Sequence, residues 1–252
     1  MPDGPGRPAA VLVDAFALAR RGVLDAIAAA CDRADRDPAT VRLVAVSKTV
    51  PADRVRAAIA AGQVAFGENR VQEAEAKIPA VGAGEWHLIG PLQANKVRRA
   101  LEIVDVIESV DSVELARRLD RIVRELRGLP ADGAVPDERR FPVLLQVNVN
   151  GDPGKNGFEP DGLAAALADL AALGALRLEG LMTIGRLALE PEAARPTFRA
   201  LRELAESLRD TVPALGPALS MGMSDDYPVA VEEGATIVRV GRALFGEREA
   251  HA

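Results

Sequence analysis

The residue best placed to do chemistry is Lys48, which closes the apolar run Val41-Arg42-Leu43-Val44-Ala45-Val46-Ser47-Lys48. The run has the β-branched, aliphatic composition of a buried strand. Pro51 follows, and the next stretch reads as helix. A strand that delivers a lone amine at its C-terminal end, ahead of a helix, puts it where α/β proteins place their chemistry. Burial there lowers an amine's pKa and frees its lone pair, which suits a Schiff base with an aldehyde. The alternative for this strand alone is a rim lysine that snorkels to water.

A second group of residues lies near the C-terminus, in Ser220-Met221-Gly222-Met223-Ser224-Asp225-Asp226 and Val238-Arg239-Val240-Gly241-Arg242. Glycines let a backbone approach a ligand, helix N-terminal amides donate to phosphate oxygens, and serine hydroxyls add bonds. Ser220, Ser224 and the amides of Gly241 and Arg242 can supply such a site. The alternative is that the glycines only make tight turns and that Ser224 caps the following helix. Ile237, Arg239 and Gly241 share one face by the two-residue period. If Gly241 meets a ligand, Arg239 points into the same pocket, and a buried arginine needs a partner. A ring nitrogen or a structural carboxylate would serve.

These residues need a scaffold, and the chain supplies a regular one. After an amphipathic helix over roughly Val11 to Arg33, strand candidates fall at Val41–Lys48, Gln63–Gly67, Glu85–Gly90, Val104–Val110, Phe141–Val149, Leu176–Ile184, Ala218–Met223 and Thr236–Val240. Helical stretches follow most of them, at Ala52–Ala61, Arg70–Lys77, Leu92–Leu101, Ser112–Leu126, Asp161–Leu173, Pro191–Leu208 and Tyr227–Glu233. Asp111-Ser112-Val113-Glu114 has the form of a capped helix start. Eight β-then-α units predict a single-domain (β/α)8 TIM barrel with an extra N-terminal helix. A doubly wound sheet is the alternative, weakened by the lack of a G-x-G-x-x-G turn. The barrel is expected over residues 9–248, with tails at 1–8 and 249–252. Gly128 to Arg140 reads as one long exposed loop.

In a barrel the strand C-termini gather at one mouth. That collects Lys48, Glu68, Asn69, His87, Gly90, Ser109, Asp111, Asn148, Asn150, Thr183, Ser220, Ser224 and Gly241 into one polar pocket over an apolar core. The phosphate position of such barrels is the loops after strands seven and eight, which are the two glycine-marked segments.

Bulk composition narrows the function classes. The 252 residues carry a net charge of -6, which disfavours a nucleic-acid surface but permits a local basic pocket. One cysteine, Cys31, forms no internal disulfide, and with two histidines a dedicated zinc site is not expected. No apolar stretch approaches the ~20 residues of a membrane span. The basic residues follow the first apolar segment, so no signal peptide is read. A cytoplasmic protein is expected.

The chain resembles the pyridoxal 5'-phosphate homeostasis protein family, whose barrel is similar to the N-terminal domain of bacterial alanine racemase. The resemblance rests on LVAVSKTVPADRV, FGENRVQEAEAK, WHLIGPLQANKV, IESVD, GLMTIG, LSMGMSDD and VRVGRALFGER, in family order across nearly the whole chain. It implies that Lys48 forms the internal Schiff base with pyridoxal phosphate and that Asn69 lies near the ring. Ser220, Ser224, Gly241 and Arg242 then fall at the phosphate, and Arg239 at the pyridine nitrogen. Position 242 departs from the expected Ser or Thr, and Arg70 stands where Tyr is more usual.

An arginine at the pyridine nitrogen disfavours the protonated ring and makes the cofactor a poor electron sink. The expected function is therefore a carrier that holds pyridoxal phosphate reversibly, without turnover, as a monomer that hands it to apo-enzymes. The alternative is a racemase-type enzyme, which needs a second base. His87 and Lys155 are the candidates, with a satisfied half-buried histidine and a solvated loop lysine as the plainer readings. Tyr227, the one tyrosine, reads as surface packing at a helix start. A sugar-phosphate enzyme on the same barrel is a third reading. Glu73, Glu75, Lys77, Arg117, Arg118 and Asp120 read as solvated helix faces, and Trp86 as packing.

Overall fold

The computed structural model describes residues 9–246 apart from 132, 134 and 186–189. The expected tails, and residues 247–248 of the expected domain, lie outside the described residues. Eight parallel strands close a barrel in sequence order. They are β1 (Arg42–Val46), β2 (Ala65–Glu68), β3 (Glu85–Leu88), β4 (Val106–Val110), β5 (Phe141–Gln146), β6 (Leu176–Met182), β7 (Ala218–Ser220) and β8 (Ile237–Val240). β8 pairs back onto β1, with Val44 opposite Arg239.

Nine helices surround the strands among the described residues: α1 (Ala10–Arg33), α2 (Ala52–Ala60), α3 (Val71–Val81), α4 (Val97–Ile103), α5 (Val113–Arg127), α6 (Pro160–Ala171), α7 (Arg195–Thr211), α8 (Tyr227–Glu232) and α9 (Arg242–Phe245). None is long and apolar enough to cross a membrane. α1 packs on α2, α8 and α9, across the β8–β1 seam. It buries Phe16, Val23, Ile27, Ala30 and Cys31 on one face.

Alternation sorts side chains into two cores, because successive residues of a strand face opposite sides. Leu43, Ala45, Phe66, Leu88 and Leu145 face the helices, in one cluster with Val55, Leu119, Leu167 and Leu201. Val44, Ala65, Val106, Leu144, Met182 and Ile237 form a smaller cluster inside the barrel. At that level β3 contributes His87 instead, opposite Gly67 and Val106.

The strands end earlier than their apolar runs suggest: β1 stops at Val46 rather than Lys48, β5 at Gln146 rather than Val149, and β7 at Ser220 rather than Met223. The extra residues are where the chain leaves the ladder and turns over the barrel mouth. α4 begins at Val97, not Leu92, after a 3-10 turn at Ala94–Lys96 that follows Pro91. α3 runs on to Val81 and ends at Gly82, whose φ of 81° suits a glycine. Ser112 caps α5 as expected, its hydroxyl accepting from the Leu115 amide at 3.3 Å. The Gly128–Arg140 segment holds a short 3-10 turn at Asp137–Arg139 and returns Val135 to the core.

Candidate functional site

A cavity of about 620 Å3 opens at the C-terminal mouth. Of the sequence-predicted residues, Lys48, Asn69, Gly90, Ser224, Arg239, Gly241 and Arg242 line it. Glu68, His87, Ser109, Asp111, Asn148, Asn150 and Thr183 do not, and neither does Ser220. It is fully buried one layer below, where its hydroxyl accepts from Arg239 Nη1 at 2.5 Å and donates to Glu108 Oε2 at 2.5 Å. Both partners of that hydroxyl are protein side chains, below the cavity floor.

Lys48 is half-buried, at the corner where β1 turns toward α2. Thr49 after it has a φ of 64°, a region that costs a non-glycine residue about 1 kcal/mol or more. Its amide donates to Glu73 Oε2 at 3.2 Å. Asn69 follows the end of β2 and lines the same cavity as Lys48, and Gly90 packs against its backbone. Lys77 is not the solvated residue the helix pattern suggests. Its ammonium donates to Glu68 Oε1 and to the Ser47 carbonyl, each at 2.6 Å, behind the cavity. Burial pushes the Glu68 carboxyl above its ordinary range, against the pull of Lys77. Asp120 is likewise engaged, with Arg124 at 2.8 Å and the Ala175 amide at 2.7 Å.

The opposite wall comes from the last two units. The Ser224 hydroxyl accepts from the amides of Gly241 at 3.2 Å and Ala243 at 3.4 Å. Ser224 therefore addresses the start of α9, not the α8 cap read from sequence. Arg242 pairs with Asp225 at the rim. Arg239 is only 4% exposed, and its Nη2 donates to the Thr183 carbonyl at 2.7 Å. Burial pulls its pKa below the ordinary value, opposed by Glu108 and Asp226.

Lys155 also lines the cavity, and it is not a solvated loop charge. Its ammonium donates to the carbonyls of Ile184 at 3.3 Å and Gly185 at 3.0 Å, tying the loop after β5 to the end of β6. Asn148 shapes that loop through the Asp152 backbone. Arg70 is exposed and outside the lining, and Tyr227 is buried at the start of α8 rather than on the surface. Trp86 packs on Phe66, their rings 5.2 Å apart.

His87 belongs to the other end of the barrel. It lines a lower cavity with Arg42, Glu85, Asp105, Arg177 and Glu179. Its Nδ1 stands 2.5 Å from Glu108 Oε1 and its Nε2 3.1 Å from Glu85 Oε1. Burial opposes its charge, but the two carboxylates outweigh that and raise its pKa to about 9. Glu108, Glu85 and Lys77 join the site and its supports without standing out in the sequence pattern. Their signal is positional: Glu85 and His87, two apart, share the inward face of β3.

An amine after β1, facing serine- and glycine-bearing loops after β7 and β8 of a closed parallel barrel, defines a barrel of the alanine racemase type. The family model described as alanine racemase, N-terminal domain, matches residues 23–249. The chain is 45% identical over 223 residues to the pyridoxal phosphate homeostasis protein of Pseudomonas aeruginosa, covering 87% of this chain and 90% of that one. It is 42% identical over 229 residues to that of Aquifex aeolicus, covering 90% and 96%. PipY of Synechococcus elongatus PCC7942, solved with PLP bound, superposes with a TM-score of 0.75 at 42% identity, covering 89% of this chain and 100% of that one. The chain belongs to the pyridoxal phosphate homeostasis protein family.

Proposed function

We propose that this chain binds pyridoxal 5'-phosphate in the upper cavity and holds it as a reversible Schiff base on Lys48. The observation that carries the reading is that Lys48, Asn69, Arg239, Ser224, Gly241 and Arg242 line one cavity, in a chain whose relatives are named for this cofactor. The residues fit the group. A primary amine answers the aldehyde, a guanidinium that only donates answers the ring nitrogen as acceptor, and amides, a hydroxyl and a second guanidinium answer the phosphate.

When bound, pyridoxal phosphate supplies an electron sink for carbanions. Arg239 limits that sink, because a cation beside the ring nitrogen disfavours its protonation. Turnover also needs a base across from Lys48. His87 lies in the lower cavity and Tyr227 in the helix layer, while Lys155 is engaged by two carbonyls. The reading is therefore a carrier without turnover: a cytoplasmic monomer that limits free aldehyde and passes the cofactor to apo-enzymes.

The test is the visible absorption of the purified protein loaded with pyridoxal phosphate, before and after borohydride. A band that bleaches on reduction, with the label on Lys48 and absent in Lys48→Ala, is expected. Amino acids should then be bound or ignored without racemisation. A protein that takes up no cofactor, or one labelled at another lysine, refutes the assignment.

A further inference from the structure

Five polar side chains cross the barrel from one mouth to the other. Glu85 stands at the lower mouth, paired with Arg42. His87 bridges Glu85 and Glu108, at 3.1 and 2.5 Å. Ser220 bridges Glu108 and Arg239, at 2.5 Å on each side, and Arg239 lines the upper cavity. Glu108 is fully buried, and its carboxylate lies 4.0 Å from the Arg239 guanidinium. Apolar side chains of similar volume would fill this space at comparable or better stability. A continuous row of alternating charges through a barrel core is thus not explained by packing.

We propose that His87, Glu108 and Ser220 are positioning residues for Arg239, and that the proton on His87 is linked to what the upper cavity holds. The linkage rests on the reading of Arg239 as the residue that faces the cofactor ring. With His87 cationic, Glu108 is neutralised from below and Arg239 presents its charge to the cavity. When His87 loses its proton, Glu108 turns its whole charge on Arg239 through Ser220, and the field offered to a ligand weakens. Linkage is reciprocal, so a ligand that accepts a hydrogen bond from Arg239 must change the proton affinity of His87. Besides Glu85 and Glu108, the charged groups around His87 are Arg42 from β1, Arg177 and Glu179 from β6, and Asp105 ahead of β4. They surround it with both signs, and two carboxylates touch it directly.

The test reads His87 itself, by imidazole NMR of the full-length protein. The chain has two histidines, and His251→Gln isolates the signal. Without cofactor, the midpoint is expected near 9. Arg239→Met should raise it and Glu108→Gln should lower it, each by on the order of one pH unit. Should Glu108→Gln fail to fold, Glu85→Gln, at the partly exposed end, is expected to lower it in the same sense. Saturating pyridoxal phosphate should move the wild-type midpoint, and the response should shrink in Ser220→Ala.

A midpoint indifferent to Arg239→Met overturns the relay, even if Glu85→Gln shifts it, because His87 then answers only to its neighbours. A bound cofactor that leaves His87 unmoved overturns the linkage. Absence of a borohydride-reducible band, with the apo shifts intact, instead refutes the cofactor reading and leaves the relay standing.

Discussion

The ammonium of Lys77 and the carboxylate of Glu68 meet at 2.6 Å between β2 and α3, directly behind the candidate site. The same ammonium holds the Ser47 carbonyl at 2.6 Å, so one buried charge steadies the residue before Lys48 and the residue before Asn69. Glu68 Oε1 also accepts from the Ser47 hydroxyl at 2.7 Å, whereas its Oε2 has no hydrogen-bond partner among the described residues. The pair is therefore tightly but incompletely satisfied.

Lys77→Met is expected to destabilise the fold by about 3–5 kcal/mol at neutral pH, because it strands a buried carboxylate. The loss should shrink as pH falls and Glu68 takes up a proton. Replacing both partners, with Glu68→Leu added, should restore most of the stability while cofactor affinity stays low. Denaturant unfolding across pH, beside a cofactor titration, checks both halves.

His87 predicts the alkaline limit of stability. Its folded pKa of about 9 lies above the ordinary value of 6.5. The contribution is complete below pH 6.5, and it is lost as pH rises through 9. The span corresponds to on the order of 3 kcal/mol. His87→Gln should flatten unfolding free energy over that window, read by urea melts at several pH values.

Gly90→Ala is expected to weaken cofactor binding and lower the melting temperature. A Cβ at that position would sit 2.2 Å from the Asn69 carbonyl oxygen, which is backbone and cannot rotate away. The cost of such overpacking is about 1–3 kcal/mol. Thermal melts and affinity should fall together.

Arg242→Ser separates stability from binding. Arg242 and Asp225 are both about half exposed, so their ion pair contributes less than about 1 kcal/mol to folding. If the guanidinium assists the phosphate, affinity should drop about tenfold, or 1.4 kcal/mol, with no change in melting temperature. Isothermal titration with pyridoxal phosphate decides it.

Much of the architecture is legible in the residues. The aliphatic runs around Val44, Phe66, Leu145 and Leu181 carry the strand signal, and Lys48 stands out as the lone amine after the first of them. What escaped reading has a common cause. Glu85 and Glu108 occupy inward strand positions where an ionisable residue is usually taken as solvent-facing, and only the closed sheet makes their facing side an interior; His87, expected at the mouth, lies in the lower cavity beside Glu85. Lys77 shares a helix with exposed Gln72 and half-exposed Glu73, and its burial depends on how α3 lies against β2. Ser220 has the composition of a phosphate ligand, yet its strand ends one layer too deep. The short α9 went unread because four residues carry no periodicity.

The ring closes only when β8 reaches β1, and α1 spans that seam against α8 and α9. During synthesis β1 thus leaves the ribosome with one long flank unmet until β8, seven strands later, has followed it. Earlier units can stack as they emerge, but the lysine corner on β1 acquires its second neighbour only when β8 arrives. The site is complete no sooner than the ring is.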